Sequence, residues 1–288
     1  MRPKIYLFGD SITEESFGDG GWGASLAHHF SRNVDVVLRG YSGYNTRWAE
    51  KVLKRVFPGS QDSGGEAPLA VTVFFGANDA CLLDRCSGFL HVPVDEYKHN
   101  LRSIVSFLKK QWPATRVILI TPPPIDEEGR LQYGFTAYLV FSSIVTHVHL
   151  FSFFFESSNH TVKDIMNLKN LVFNIYLFGY RFPYIENPLN QPERTNEAAG
   201  AFAEACVAVA RESGLPVIDL WTKMQQVPDW QKAHLRDGLH LTPLGNRFVF
   251  EEVVAKLRDE GLSLESLPVD LPLIADIDPN DPLKAFHK

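Results

Sequence analysis

Five short apolar runs with helical patterns between them restrict the fold more than any other feature of the chain. The runs are Ile5 to Phe8, Val34 to Leu38, Leu69 to Phe75, Val117 to Ile120 and Pro216 to Leu220. Each is rich in Val, Ile, Leu or Phe and ends near Gly, Pro, Asn or Asp. A strand covered on both faces reads this way, because neither side of it meets water. Helical spacing of apolar residues fills Trp22 to Phe30, Thr46 to Phe57, Tyr97 to Trp112, Arg194 to Ser213 and Leu244 to Arg258. Asn45 stands where a cap is needed before the second of these, and Thr242 with Pro243 before the last. Pro113, Gly214 and Gly261 stand where the last three should stop. Alternating strands and helices predict βαβ units, hence an α/β fold with a five-stranded parallel sheet between helices. A single domain over residues 1–263 accounts for all of them.

In sheets of this kind functional groups collect beyond the carboxyl ends of the strands. Three segments sit there: Gly9-Asp10-Ser11, Gly40-Tyr41-Ser42-Gly43 and Gly76-Ala77-Asn78-Asp79. Composition narrows what they can do. The formal net charge is -6 and no run of Lys or Arg appears, which argues against a nucleic-acid partner. Three cysteines, Cys81, Cys86 and Cys206, are too few and too oddly numbered for a disulfide framework and have no second pair at metal-ligand spacing. They read as reduced thiols, and no metal is expected. The start MRPKIYLFGDS has no long apolar stretch and no small-residue cleavage site, so the expectation is a cytoplasmic protein.

Acyl transfer needs an activated hydroxyl, a base in hydrogen-bond reach and donors aimed at the developing oxyanion. Ser11, at the exit of the first strand, is the candidate nucleophile; the alternative is a serine that caps a turn. Asp237-Gly238-Leu239-His240 places a carboxylate and an imidazole three residues apart, where Asp237 can fix the tautomer of His240. The alternative there is a surface turn before the last helix. Gly43 and Asn78 are the oxyanion candidates with the Ser11 N–H, although Asn78 also suits an ordinary loop turn. Other patterns carry less. Gly18-Asp19-Gly20-Gly21-Trp22-Gly23 matches a dinucleotide fingerprint but starts about ten residues after the strand it should follow. Asp126-Glu127-Glu128 reads as solvated surface rather than a glycosidase pair.

Taken together the four blocks Gly9-Asp10-Ser11-Ile12, Gly40-Tyr41-Ser42-Gly43, Gly76-Ala77-Asn78-Asp79 and Asp237-Gly238-Leu239-His240 resemble the SGNH branch of the GDSL hydrolases. More closely the chain resembles the isoamyl acetate-hydrolysing esterase group, particularly its plant members. Gly20-Gly21-Trp22-Gly23, Thr121-Pro122-Pro123-Pro124, Glu193-Arg194-Thr195-Asn196 and Asp270-Leu271-Pro272-Leu273-Ile274 add to that likeness. The resemblance implies a flavodoxin-like three-layer fold and the catalytic set Ser11, Asp237 and His240. It implies an oxyanion hole of Ser11, Gly43 and Asn78, and hydrolysis of small carboxylic esters without a cofactor. The same residues would equally serve removal of acetyl groups from a carbohydrate.

The resemblance covers nearly all of residues 1–132 and 183–288. Residues 133–182 depart from it. They hold 13 aromatic residues, nine of them Phe, and no charge occurs from Leu131 to Phe155. Three readings compete: a translated non-coding segment, an apolar lid over the ester site, or a membrane segment. The Phe-rich character and sharp edges favour the first. Polar residues such as Ser142, Thr146 and His147 dilute the last, so no membrane span is expected. A poorly packed insert would leave a catalytically disabled chain. From Leu264 onward, prolines and acids suggest an extended arm fastened at its apolar points.

Overall fold

Each of the five apolar runs forms a strand. The computed structural model describes residues 2–57, 67–132 and 191–286. The segment 133–182, with the readings attached to it, lies outside the described residues. The strands are β1 (Lys4–Gly9), β2 (Asp35–Gly40), β3 (Ala70–Phe74), β4 (Arg116–Ile120) and β5 (Val217–Ile218). They pair in parallel in the order β2-β1-β3-β4-β5. This is the flavodoxin-like order, in which the winding reverses between β1 and β3. The register puts Gly9 beside Gly40 on one side and beside Phe74 on the other, so three strands end level at that reversal.

The strand side chains alternate between two packed layers, as a period of two requires. Ile5, Leu7, Ala70, Phe74, Ile118 and Ile120 pack with Trp22 and Leu26 of α2 (Trp22–His29) and Val249, Val253 and Leu257 of α8 (Pro243–Asp259). Phe8, Val71, Val73, Val117 and Leu119 pack on the other face. Their partners there are α3 (Thr46–Val56), α4 (Val94–Gln111) and α5 (Asn196–Glu212). Burying one such side chain stabilises the fold by roughly 1.5–3 kcal/mol. Caps end the helices where the sequence placed them. Asn45 accepts the N–H of Trp48 and Thr242 accepts that of Gly245, with Pro243 at the first helical position.

The main departures from expectation are one shortened strand and two short helices. β5 has two residues rather than five, because Asp219 caps a short helix, α6 (Leu220–Met224), and Leu220 is buried by that helix instead of by a strand. A second short helix, α7 (Trp230–His234), precedes the Asp237 turn. Both are too short to show a helical period. Among the described residues no helix is long and apolar enough to cross a membrane. The C-terminal arm is fastened by polar groups as much as by apolar ones. Asp270 accepts from Arg2 at 2.9 Å and Arg32 at 2.8 Å, Asn33 donates to the Leu267 carbonyl, and Leu267 packs against the core.

Candidate active site

Ser11 is the first residue of α1 (Ser11–Glu14), directly beyond the end of β1. Asp10 caps that turn by accepting the N–H of Ile12. This leaves the Ser11 N–H at a helix start, where no intrahelical partner exists. Among the described residues no protein acceptor takes the N–H of Ser11 or of Gly43. Gly43 follows β2 and has φ +78, a left-handed conformation that strains any other residue, and the space where a Cβ would stand is open. Asn78 follows β3. Its Nδ2 donates to the Tyr44 carbonyl at 2.9 Å, which ties the β3 loop to the residue after Gly43. Asp79 reinforces the tie by accepting the N–H of Thr46 at 3.0 Å, together with a short contact from the Thr46 hydroxyl.

His240 and Asp237 arrive differently. Residues 234–242 double back on themselves: Leu235 bridges Leu241 antiparallel, Arg236 donates its N–H to the His240 carbonyl, and Thr242 donates its N–H to the His234 carbonyl. Gly238, at φ +80, turns the tip. A Cβ there would lie 2.2 Å from the Asp126 carbonyl oxygen, so only glycine fits. Asp237 Oδ1 accepts the N–H groups of Leu239 and His240, at 3.0 and 2.7 Å. Its Oδ2 lies 2.8 Å from His240 Nδ1, and His240 Nε2 lies 3.0 Å from Ser11 Oγ. The three side chains thus form one continuous hydrogen-bonded row from carboxylate to hydroxyl. The Asp237 side chain is 3% exposed and that of His240 is 19% exposed, so the imidazole, but not its carboxylate, is open to a substrate.

The electrostatics separate the two groups of acids. Burial pushes the Asp237 carboxyl upward, but hydrogen bonding to His240 and the nearby charges of His240 and Arg130 outweigh it. The net effect holds Asp237 well below the usual carboxylate range. Asp10 and Asp79 are both pushed up to about 7 by burial. The hydrogen bond from Ile12 works against that shift at Asp10, and the neighbouring Asp79 adds to it.

The structure therefore brings Ser11, Asp237 and His240 into contact, and sets Gly43 and Asn78 on the adjoining strand ends. Arg130, Glu193 and Arg194 were not singled out as site residues by sequence reasoning. Arg130 lies on a helical segment, residues 127–132, and Glu193 and Arg194 just precede α5. Arg130 Nη1 donates to Asp237 Oδ2 at 3.1 Å, and Arg194 Nη2 donates to Asn78 Oδ1 at 2.9 Å. A charged residue buried in this way looks like a surface residue in a sequence. The one available signal was the Glu193-Arg194-Thr195-Asn196 stretch. A cavity of about 540 Å³, lined by Ile12, Leu241, Glu14, Asp19, Arg236 and Asn246 among others, has mixed walls that include none of Ser11, Gly43, Asn78 and His240.

Comparison with known proteins gives consistent results. The family described as GDSL-like lipase/acylhydrolase matches residues 5–253. A GDSL esterase/lipase of Arabidopsis thaliana is 57% identical over 288 residues, covering 100% of this chain and 99% of that protein. An isoamyl acetate-hydrolyzing esterase 1 homolog of Rattus norvegicus is 40% identical over 98% of this chain and 91% of its own length. The crystal structure of a lipase/acylhydrolase from Enterococcus faecalis superposes with a TM-score of 0.56 at 23% identity. That match covers 90% of this chain and 97% of the other, and it speaks for the fold.

Proposed function

The chain belongs to the GDSL-like lipase/acylhydrolase family and is a carboxylic ester hydrolase, and on that premise we propose that it cleaves small acetate-type esters through an acyl-enzyme on Ser11. The observation that carries this reading is the row Asp237 Oδ2, His240 Nδ1, His240 Nε2 and Ser11 Oγ, with contacts of 2.8 and 3.0 Å. His240 takes the Ser11 proton as the oxygen attacks the ester carbonyl. Asp237 holds the Nδ1 proton and balances the imidazolium. The N–H groups of Ser11 and Gly43 and the Asn78 amide receive the oxyanion. His240 then protonates the leaving alcohol, and the same imidazole activates the water that releases the acid. No cofactor enters these steps.

The similarity to an isoamyl acetate-hydrolyzing esterase homolog supports a small acyl group and a simple alcohol. A second reading, in which the alcohol is a carbohydrate and the enzyme removes acetyl groups from it, would use the same catalytic set. Both readings take residues 1–263 as one catalytic domain. The test is hydrolysis of a short-chain acetate ester and of an acetylated sugar by the purified chain, each with Ser11→Ala as control. A chain lacking residues 133–182 is assayed in parallel. Faster turnover of the simple ester, abolished by Ser11→Ala, is expected. Faster turnover of the sugar selects the second reading, and activity only in the shortened chain marks the insert as disabling. Turnover of neither substrate by either folded protein would exclude both.

A further inference from the structure

A single line of buried charge runs from the triad to the oxyanion amide. Asp237 Oδ2 accepts from Arg130 Nη1 at 3.1 Å. Arg130 Nη2 and Nε donate to Glu193 Oε1 at 2.5 and 2.8 Å. The same Glu193 oxygen accepts from Arg194 Nη1 at 2.8 Å. Arg194 Nε donates to the Ala77 carbonyl at 2.7 Å, and its Nη2 donates to Asn78 Oδ1 at 2.9 Å. Arg194 is wholly buried, and Arg130 and Glu193 are each 4% exposed. The charges alternate in sign along the line.

Buried ion pairs are costly to desolvate, and apolar packing of similar volume often holds a fold as well. What apolar packing cannot do is tell the two ends of an amide apart. The oxygen and nitrogen of an asparagine are nearly the same size, so shape alone leaves its orientation open. A guanidinium has donors only, and a peptide carbonyl only accepts. Arg194 on one side therefore requires the Asn78 oxygen, and the Tyr44 carbonyl on the other requires the nitrogen, at 2.9 Å. The nitrogen has two hydrogens. One goes to Tyr44, and the other is left for a substrate.

We propose that Arg194 is a positioning residue that dictates which way round the Asn78 amide sits, with Glu193 and Arg130 tying its placement to that of Asp237. The proposal rests on the esterase reading above. Arg194 touches no substrate; it acts through Asn78. If it is lost, only the Tyr44 carbonyl still selects the orientation, so the reversed amide, whose oxygen opposes the charge that develops, is populated more often. The effect falls on the transition state, so kcat drops while KM barely moves.

The test is a double-mutant cycle on the full chain with the acetate ester. Asn78→Ala is expected to lower kcat by about 10²–10³-fold. Arg194→Met keeps much of the volume but has no donor, and is expected to lower kcat by roughly tenfold or more with KM within about twofold. In the Asn78→Ala background, Arg194→Met should cost less than about twofold further, because the amide it orients is gone. The same loss in both backgrounds, or no loss in either, would overturn the proposal and leave Arg194 a structural residue. If Arg194→Met does not fold, neutron diffraction from the unaltered protein decides. An oxygen on the Asn78 atom facing Arg194 supports the assignment, and deuterons there sink it. That measurement needs no turnover, so it stands even if the unaltered chain hydrolyses no ester, the outcome that would defeat the parent reading instead.

Discussion

Two kinds of scaffold hold the halves of this site. Ser11, Gly43 and Asn78 leave the ends of β1, β2 and β3, three strands in register with Gly9, Gly40 and Phe74 level. Their placement follows from the sheet ladder and the two apolar layers behind it. Asp237 and His240 sit on a hairpin-like turn outside the sheet, held by the Leu235–Leu241 bridge, the left-handed Gly238 and the Arg130 guanidinium. The first half is fixed by a large cooperative core, so a local change there should alter chemistry before stability. The second half is fixed by a few polar contacts and one tight glycine, so a local change there should alter both.

The sharpest way to break this contrast is to act on each half in turn. His240→Ala removes the proposed base and should lower kcat by about 10⁴-fold or more, and the melting temperature should fall as well because buried Asp237 loses its imidazole partner. Retained turnover would sink the assignment of the turn half. Gly238→Ala and Gly43→Ala form the next test. At Gly238 a methyl group meets the Asp126 carbonyl at 2.2 Å, so backbone has to move in addition to adopting a strained φ. The expected cost is about 3 kcal/mol in urea unfolding, with activity lost as Asp237 and His240 shift. At Gly43 the Cβ has open space, so only the φ strain, about 1–2 kcal/mol, applies. Equal destabilisation by the two substitutions would contradict the contrast.

The smallest effect is in the response to pH. Asp10 and Asp79 lie in the strand half with folded values raised to about 7, above their unfolded values near 3.9. Between pH 4 and 7 the folded state then holds more protons than the unfolded one. Their contribution is fully present below about pH 4 and is lost as pH rises through 7. Asp237 lies in the turn half with a depressed value, so its contribution is present above about pH 4 and is lost on further acidification. Stability from urea unfolding should fall as pH rises from 5 to 7, by about 1.4 kcal/mol per carboxyl and pH unit at most, and level off toward pH 8. Asp10→Asn should flatten that slope whatever it does to the absolute midpoint. An unchanged slope would remove Asp10 from the account.

The strand half was the more legible in sequence. A parallel strand covered on both faces has to be an unbroken apolar run, and Ile5 to Phe8 or Val117 to Ile120 can hardly be anything else at that length. Caps such as Asn45 and Thr242 are equally local, because one side chain and one N–H define them. β5 was read too long because Leu220 is apolar for another reason, as the first residue of α6. All five named site residues lie at strand exits or on the Asp237 turn, and each belongs to a short block that a reader can recognise. Arg130 escaped notice, and Glu193 and Arg194 stood out only as part of a resembling stretch and not as site residues, because their meaning depends on distant partners. Arg130 follows Asp126-Glu127-Glu128, where Glu127 and Glu128 are indeed exposed, and nothing local distinguishes it from them. Burial of a charge is decided by tertiary packing and leaves no period in the sequence.

The pairing of Arg130 with Glu193 has a consequence in polymer terms. It clasps the chain at two points far apart in sequence, so the feet of the stretch between them are held together whatever that stretch's own structure. The entropy of closing a flexible ring grows only with the logarithm of its contour length. Removing fifty residues from it, or adding as many, changes that cost by no more than ~1.5 kcal/mol. The clasp thus makes the distance from Arg130 to Glu193 along the chain nearly irrelevant to the distance between them in space. A gene can lengthen or shorten this stretch with little thermodynamic penalty from ring closure, while the residues that meet Asp237 and Asn78 keep their places.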